Sequence, residues 1–284
     1  MELVGADMLR DVTRDRPVVL LAATEAEAQP LRAALTRAEE HVVATKTVYV
    51  GELGSVPPAG SKVRVVLAVT GCDKANVAHA LTCLLQAMAP APRLVLQLGI
   101  AGAFPGVGVF PGAGPGAAVG DIVLATHEAY SDTGSSSPDG WLSAADLGVP
   151  IACVKGSETG GRFPLDAGLV GAAAAVIEAG VAGPEGRPAV LRGPCVTASQ
   201  VTGLRAEAET AAVRWGALAE SMEGAAAAHI CALYEVPFLE VRGISNLVVD
   251  RDRASWQVER AVTAAGRAAL AVVAALDRLP LQWR

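Results

Sequence analysis

Short continuous apolar runs alternate along the chain with longer stretches in which apolar residues recur every three or four positions. Val18–Ala23, Val63–Thr70, Leu94–Leu98, Asp121–Ala125, Ala189–Ala198 and Phe238–Ile244 are of the first kind, as expected of strands covered on both faces. Thr45–Leu53 reads as a further strand, followed by a turn over Gly54–Gly60. Thr24 predicts a helix cap, with Glu25 and Glu27 in the first turn and Leu31, Ala34 and Leu35 as its apolar stripe; carboxylates are favoured there by the helix dipole. A second helix opens at Asp73 or Asn76 and turns Val77, Ala80, Leu81 and Leu84 inward. Further helices are predicted over Asp166–Ala179, Arg205–Trp215 and Met222–Tyr234, the last stopped by Pro237. A long amphipathic one is predicted over Ala254–Leu276, with Trp256, Val262, Ala265, Leu270 and Val273 on its buried side. Strand and helix patterns alternate, which points to an open α/β sheet.

No internal repeat and no linker divides the chain, so residues 17–284 read as one domain after a poorly ordered lead-in over residues 1–16. Pro105–Gly120 is a Gly/Pro/Ala-rich insert in a surface loop, and Ser131–Gly140 is a polar loop without helix or strand signal. The composition, 52% hydrophobic and 4% aromatic, predicts a core of small side chains. A net charge of −6 supplies no basic field for nucleic acid and suits a small polar substrate. Cys72, Cys83, Cys153, Cys195 and Cys231 are scattered without a CxxC pair, so reduced thiols and no metal site are expected. The first residues mix both charge signs around no apolar h-region, and runs such as Val170–Ala182 are too short to span a bilayer, so the expectation is a cytoplasmic protein without membrane contact.

Ligands in open α/β sheets are held at the C-terminal ends of strands. Two polar residues stand at such ends where apolar ones would fit: Glu223, where a short strand ending at Ser221 passes into a helix, and Asn246, where Phe238–Ile244 runs out. A carboxylate and an amide so placed suit a ligand with hydroxyls and a heterocycle. Glu27 on its own is better explained by ordinary helix-start chemistry, and gains weight only because the C-terminal edge of a first strand is also where a catalytic group would sit. Gly71, Gly99 and Gly102 allow close backbone approach to a ligand or simply make turns. The clustered hydroxyls and amide of TASQVTG (residues 197–203) suit a polar ligand or a turn equally. His229 reads as a packed histidine, and His79 and His127 have no partner at metal-ligand spacing. Trp141 and Phe163 are candidates to lid a pocket, and Asp132 and Trp141 to touch a distal substituent.

Five segments, LAATEAEAQPL, LGIAG, VGDIV, ESMEGAAAAHI and VPFLEVRGISN, resemble the purine nucleoside phosphorylase/nucleosidase family in its hydrolytic branch, in the family's order across nearly the whole chain after Pro17. The resemblance implies a three-layer α/β/α domain around a central twisted mixed sheet. It also implies a homodimer or larger homo-oligomer, a purine nucleoside as the small-molecule partner, and no metal or organic cofactor. By position, Met222 and Glu223 match the residues that floor the ribose and hold its 2′ and 3′ hydroxyls, and Glu27 matches the glutamate that activates water. Ile100, Ala101 and Gly102 match the sugar and base pocket, Gln200 and Val201 match backbone contacts to the base, and Arg242 and Ser245 match residues that position side chain 246. Adenine-cleaving relatives carry aspartate at 246. Asn246 suits a 6-oxopurine, because an amide can donate to O6 where a carboxylate would meet it lone pair to lone pair. With VTASQVTG and RGISN…RDRASW, this is similar to the branch's futalosine-cleaving members of menaquinone biosynthesis, which release hypoxanthine. Cleavage would then proceed through an oxocarbenium-like transition state, with Asp250 or Asp252, a water, or no acid at all serving the leaving base. Adenine release and phosphorolysis are the alternatives. The latter is disfavoured because Val18–Glu27 contains no Arg and Gly71–Asn76 offers only Lys74.

Overall fold

A computed structural model of the chain describes residues 16–54, 62–106, 112, 116–138, 140–181 and 187–281. Nearly all of the expected lead-in and of the turn after Gly54, and much of the 105–120 insert and of the 180–187 turn, lie outside the described residues. Strand β1 (Val18–Ala22) leads to helix α1 (Glu25–Ala34), strands β2 (Thr36–Val43), β3 (Lys46–Gly54) and β4 (Lys62–Val69), helix α2 (Lys74–Ala87) and β5 (Leu94–Ala103). Then come β6 (Ile122–Tyr130), the hairpin β7 (Gly134–Ser137) and β8 (Gly140–Ser143), the hairpin β9 (Ala152–Val154) and β10 (Ser157–Thr159), and β11 (Arg162–Pro164). Helix α3 (Ala167–Gly180), β12 (Val190–Thr197), α4 (Arg205–Trp215), β13 (Ala219–Ser221), α5 (Gly224–Tyr234), β14 (Phe238–Leu247) and α6 (Val258–Ala274) follow.

Ten strands form one mixed sheet in the order β11-β6-β12-β13-β5-β1-β4-β3-β2, with β14 paired to both β5 and β6. Since β6 also pairs β12, β12 pairs β13 and β13 pairs β5, the five strands β5, β14, β6, β12 and β13 close into a ring. Small apolar residues fill it, including Ala101, Ala103, Ala125, Ala219 and Ile244. Beyond the ring, alternate residues of β1 serve two layers. Val18, Leu20 and Ala22 pack with Leu31 of α1, Ala173 of α3 and Ala268 of α6. Val19 and Leu21 pack with Leu81 of α2 and Ala227 of α5. This is the three-layer α/β/α arrangement expected, with the sheet curled shut at one end.

Several local expectations are corrected. The stretch Gly99–Ala103 is strand rather than turn, because β5 pairs with β14 along its whole length. Likewise β14 runs on to Leu247, with a register irregularity between Ile244 and Asn246 that leaves Ser245 unpaired in the ladder. The polar loop 131–140 contains strand β7, which the tight hairpin partner β8 makes possible despite a Ser-rich sequence. Strand β2 was not anticipated: TRAEEHVV is almost wholly exposed and edges the sheet, so it carries no apolar alternation. Helix α6 begins only at Val258, after a 3-10 turn at Arg253–Ser255. Trp256 therefore precedes it, under Arg251 and Arg253, and the buried stripe is Ala261, Ala264, Ala265, Ala268, Ala269, Val272 and Val273. Val262 and Leu270 sit at its half-buried border.

Candidate active site

The N-terminus of α1 builds the first half of the site. Thr24 caps the helix through a reciprocal capping box: Glu27 N donates to Thr24 Oγ1 at 3.3 Å, while Glu27 Oε2 accepts from Thr24 N at 3.0 Å and Thr24 Oγ1 at 2.9 Å. Glu27 Oε1 accepts from the backbone N–H of Ile100 on β5, at 2.9 Å. The carboxylate is 6% exposed. A carboxylate offers about four lone-pair sites, so these three bonds leave one, on Oε1. Neighbouring Glu25 turns away to Tyr49, which separates the two first-turn acids into one for the site and one for the surface.

Glu223 builds the second half, between β13 and α5, and is 4% exposed. Its Oε1 accepts from Asp73 N at 3.3 Å and its Oε2 from Arg242 Nη1 at 3.2 Å. Asp73 can present its N–H this way because its backbone is turned to φ 83° at the start of α2. One lone pair remains on each Glu223 oxygen. Burial raises the Glu223 carboxyl above its ordinary value; Arg242 opposes the rise and the Glu27 charge adds to it.

Arg242, 1% exposed, stands between the two acids. Its Nη1 lies within reach of Ile100 O at 3.3 Å, so the Ile100 residue gives its N–H to Glu27 and its carbonyl to the guanidinium that holds Glu223. Gly99 makes this possible: a Cβ there would lie 2.5 Å from Glu27 Oε1 and 2.8 Å from Arg242 Nη1. No side chain fits at that position without displacing one of them.

Asn246 lies on the last stretch of β14, in register with Gly102 of β5. Ser245, in the irregularity, places its hydroxyl 3.2 Å from Ala101 O and 2.8 Å from Asn246 Oδ1. Asn246 Nδ2 donates to Leu247 O at 3.0 Å. One amide hydrogen thus remains for a ligand, and Nδ2 is 3.1 Å from where a Gly102 Cβ would sit.

Thus Glu27, Ile100, Arg242 and Glu223 meet in one hydrogen-bonded cluster, with Ala101, Gly102, Ser245 and Asn246 beside it on the paired strands β5 and β14. Met222, half-buried, precedes Glu223 directly. Gln200 is exposed and Val201 half-buried in the loop after β12. Several contacts hold that loop: Ser199 N donates to Asp132 Oδ2 at 2.7 Å and its hydroxyl to Asp73 Oδ1, and Thr202 N and Oγ1 donate to Glu220 at 2.7 Å each. Asp132 also pairs with Lys74, and Trp141 packs its ring against Gly134 and under Arg214. Asp250 and Asp252 each hold a local backbone amide through one oxygen: Asp250 accepts from Arg205 N at the start of α4, and Asp252 caps the 3-10 turn. His229 is a packed residue, stacked on Phe163 and bonded to the Tyr130 hydroxyl. Among the described residues no group of three or more His, Cys, Asp or Glu is arranged to hold a metal ion, and no helix is long and apolar enough to cross a membrane.

Sequence reasoning missed the supports Asp73, Glu220 and Glu240. For Glu240 a signal was present: a glutamate two residues before an arginine, on the same face of an otherwise apolar strand.

The sequence model of the phosphorylase superfamily matches residues 17–279. A futalosine hydrolase of Thermus thermophilus is 35% identical over 199 residues, 70% of this chain and 76% of that one. One of Streptomyces coelicolor is 38% identical over 172 residues, 60% of this chain and 61% of that one. The solved 5′-methylthioadenosine/S-adenosylhomocysteine nucleosidase of Neisseria meningitidis, in complex with methylthio-immucillin-A, superposes with a TM-score of 0.71 at 25% identity. It covers 92% of this chain and 99% of its own.

Proposed function

The chain belongs to the phosphorylase superfamily, and from that membership we infer that it hydrolyses a 6-oxopurine nucleoside of the futalosine type, releasing hypoxanthine. Hydrolysis of a purine N-glycosidic bond is the activity its relatives share in name; the base and the 5′ substituent are our reading. The observation that carries the choice of base is Asn246. With Oδ1 engaged by Ser245 and one Nδ2 hydrogen left over, the amide offers a donor where O6 of a 6-oxopurine needs one. An aspartate would present only lone pairs there, a buried mismatch of roughly 1–3 kcal/mol.

The acids divide the remaining work. In the proposed mechanism Glu27 Oε1 uses its spare lone pair to take a proton from water and aim the oxygen at the anomeric carbon. Glu223 uses its two spare lone pairs for the 2′ and 3′ hydroxyls, one per oxygen. Its negative charge then lies close to the sugar as oxocarbenium character develops, in a site where burial strengthens the attraction. Asn246 stabilises charge building on the departing base without supplying a proton, so hypoxanthine leaves as an anion or takes its proton from water. Phosphate is a poor fit as nucleophile. The cations of the cluster are already paired, Arg242 with Glu223 and Glu240 and Lys74 with Asp132.

The test is release of free base from futalosine, aminodeoxyfutalosine, methylthioadenosine and inosine, with and without phosphate. Hypoxanthine release from futalosine, fastest of the four and independent of phosphate, is expected. An adenine preference above about tenfold would reverse the base assignment, and a phosphate requirement would reverse the choice of water.

A further inference from the structure

Two more glutamates are wholly buried beside Arg242: Glu128 on β6 and Glu240 on β14, both 0% exposed. One oxygen of each is accounted for. Glu240 Oε1 accepts from Arg242 Nε at 2.7 Å, and Glu128 Oε2 accepts from Thr197 Oγ1 at 2.9 Å. The other oxygens, Glu128 Oε1 and Glu240 Oε2, have no donor among the described residues. Both occupy the place a Cβ on Gly224 would need, so they approach each other across the first residue of α5. Two bare carboxylates in that position repel, and each would leave a buried oxygen unsatisfied. A single proton between them removes both defects. It belongs on Glu128, whose other partner is a neutral hydroxyl, while Glu240 faces the guanidinium. Burial and then the Glu240 charge hold the Glu128 carboxyl well above the usual carboxylate range.

We propose that Glu128 and Glu240 form an acid–carboxylate pair sharing one proton, and that this pair positions Glu223 from two directions. One arm runs from Glu128 to Thr197, whose hydroxyl accepts from Ala225 N at 2.8 Å and so fixes the start of α5, two residues after Glu223. The other runs from Glu240 to Arg242 and on to Glu223 Oε2. The proton joins the backbone support of Glu223 to its side-chain support. Removing it sets two negative charges against each other and drives the arms apart. The other titratable groups near Glu128 are Arg242 on β14, the Cys195 thiol on β12 and Tyr130 on its own strand. Burial first, and then Glu240 and Glu128 for the thiol and Glu128 and Asp132 for the phenol, push both groups upward, so both stay protonated through neutral pH.

Turnover and thermal unfolding, each followed against pH in wild type, Glu128→Gln and Glu128→Ala, test the pair. The glutamine amide donates to Glu240 at every pH. Glu128→Gln is therefore expected to keep the neutral-pH kcat that Glu128→Ala loses by about a hundredfold, the order of effect when a reacting group is misplaced by ~1 Å. A carboxyl with a raised folded-state pKa contributes stability that is full below the unfolded pKa and lost as pH rises through the folded one. Wild type should therefore lose melting temperature toward alkaline pH, and Glu128→Gln should not. Parallel melting curves for the two would overturn the shared proton. Equal kcat loss in the Gln and Ala variants would overturn the positioning role. If Glu128→Ala does not fold, the contrast between wild type and Glu128→Gln in the pH profiles of kcat and melting decides alone. The proposal rests on the ribose-binding reading of Glu223 only for its kinetic arm. Were the hydrolytic reading wrong, turnover would be absent while the melting contrast persisted.

Discussion

Glu27 and Glu223 stand on either side of Arg242, yet the chain holds them by opposite means. Glu27 takes two of its three bonds from Thr24, three positions earlier, within the same capping box that starts α1. Glu223 takes both of its bonds from afar, from Asp73, 150 positions away, and from Arg242, 19 positions on. Glu27 therefore has two of its three bonds as soon as one helix forms, and only the Ile100 amide comes from afar. Glu223 has its geometry only when α2, α5 and β14 are all docked. The Glu27 half of the site is thus largely a property of a short segment, and the Glu223 half a property of the whole fold.

The sharpest way to break this contrast is to remove each acid. Glu27→Gln and Glu223→Gln should each lower kcat by roughly 10²–10⁴, the range for a lost general base or charge partner. Next comes Arg242→Leu, which leaves Glu223 and Glu240 buried without their cation and should cost about 3–5 kcal/mol in denaturant unfolding. Arg242→Lys should recover little, since one ammonium cannot reproduce both the Nε and the Nη1 contacts. Asn246→Asp should move the kcat/KM ratio toward adenine-bearing substrates by about ten- to a hundredfold, with the acids untouched. The pH dependence separates the two sides further. Burial raises Glu223, so the acidic limb of kcat/KM should lie above the ordinary carboxylate range, activity falling as pH drops and Glu223 protonates. The smallest effect is expected from Thr24→Ala, about 1 kcal/mol of stability from the lost cap. Its effect on kcat should be slight, because the Thr24 backbone N–H still holds Glu27 Oε2.

The same contrast explains what could be read from the sequence. Glu27 was visible because its cap, its first turn and the preceding apolar strand lie within a dozen residues. Glu223 and Asn246 were visible as polar residues at strand ends. Their supports were not, because Asp73 acts through its backbone and Glu128 through a contact between β6 and β14 that no local pattern encodes. The edge strand β2 and the hairpin β7–β8 escaped for a different reason. Both are exposed and polar, and they owe their form to pairing rather than to burial. The strands β5 and β14 run further than their apolar patterns predict, since Gly99, Gly102 and Ser245 look like turn residues until the partner strand is known.

The ring of five strands bears on the order in which the protein can be made. Strand β5, residues 94–103, pairs with β14, residues 238–247, so its ladder stays half-formed while some 135 residues are still to be synthesised, far longer than local elements need to form. A nascent chain that has emerged only as far as α4 already carries Glu27, its cap and the Ile100 amide. It lacks both Glu223 and the Arg242 guanidinium between the two acids. The cluster of Glu27, Arg242 and Glu223 is therefore completed late and all at once, when the last strand slots between β5 and β6.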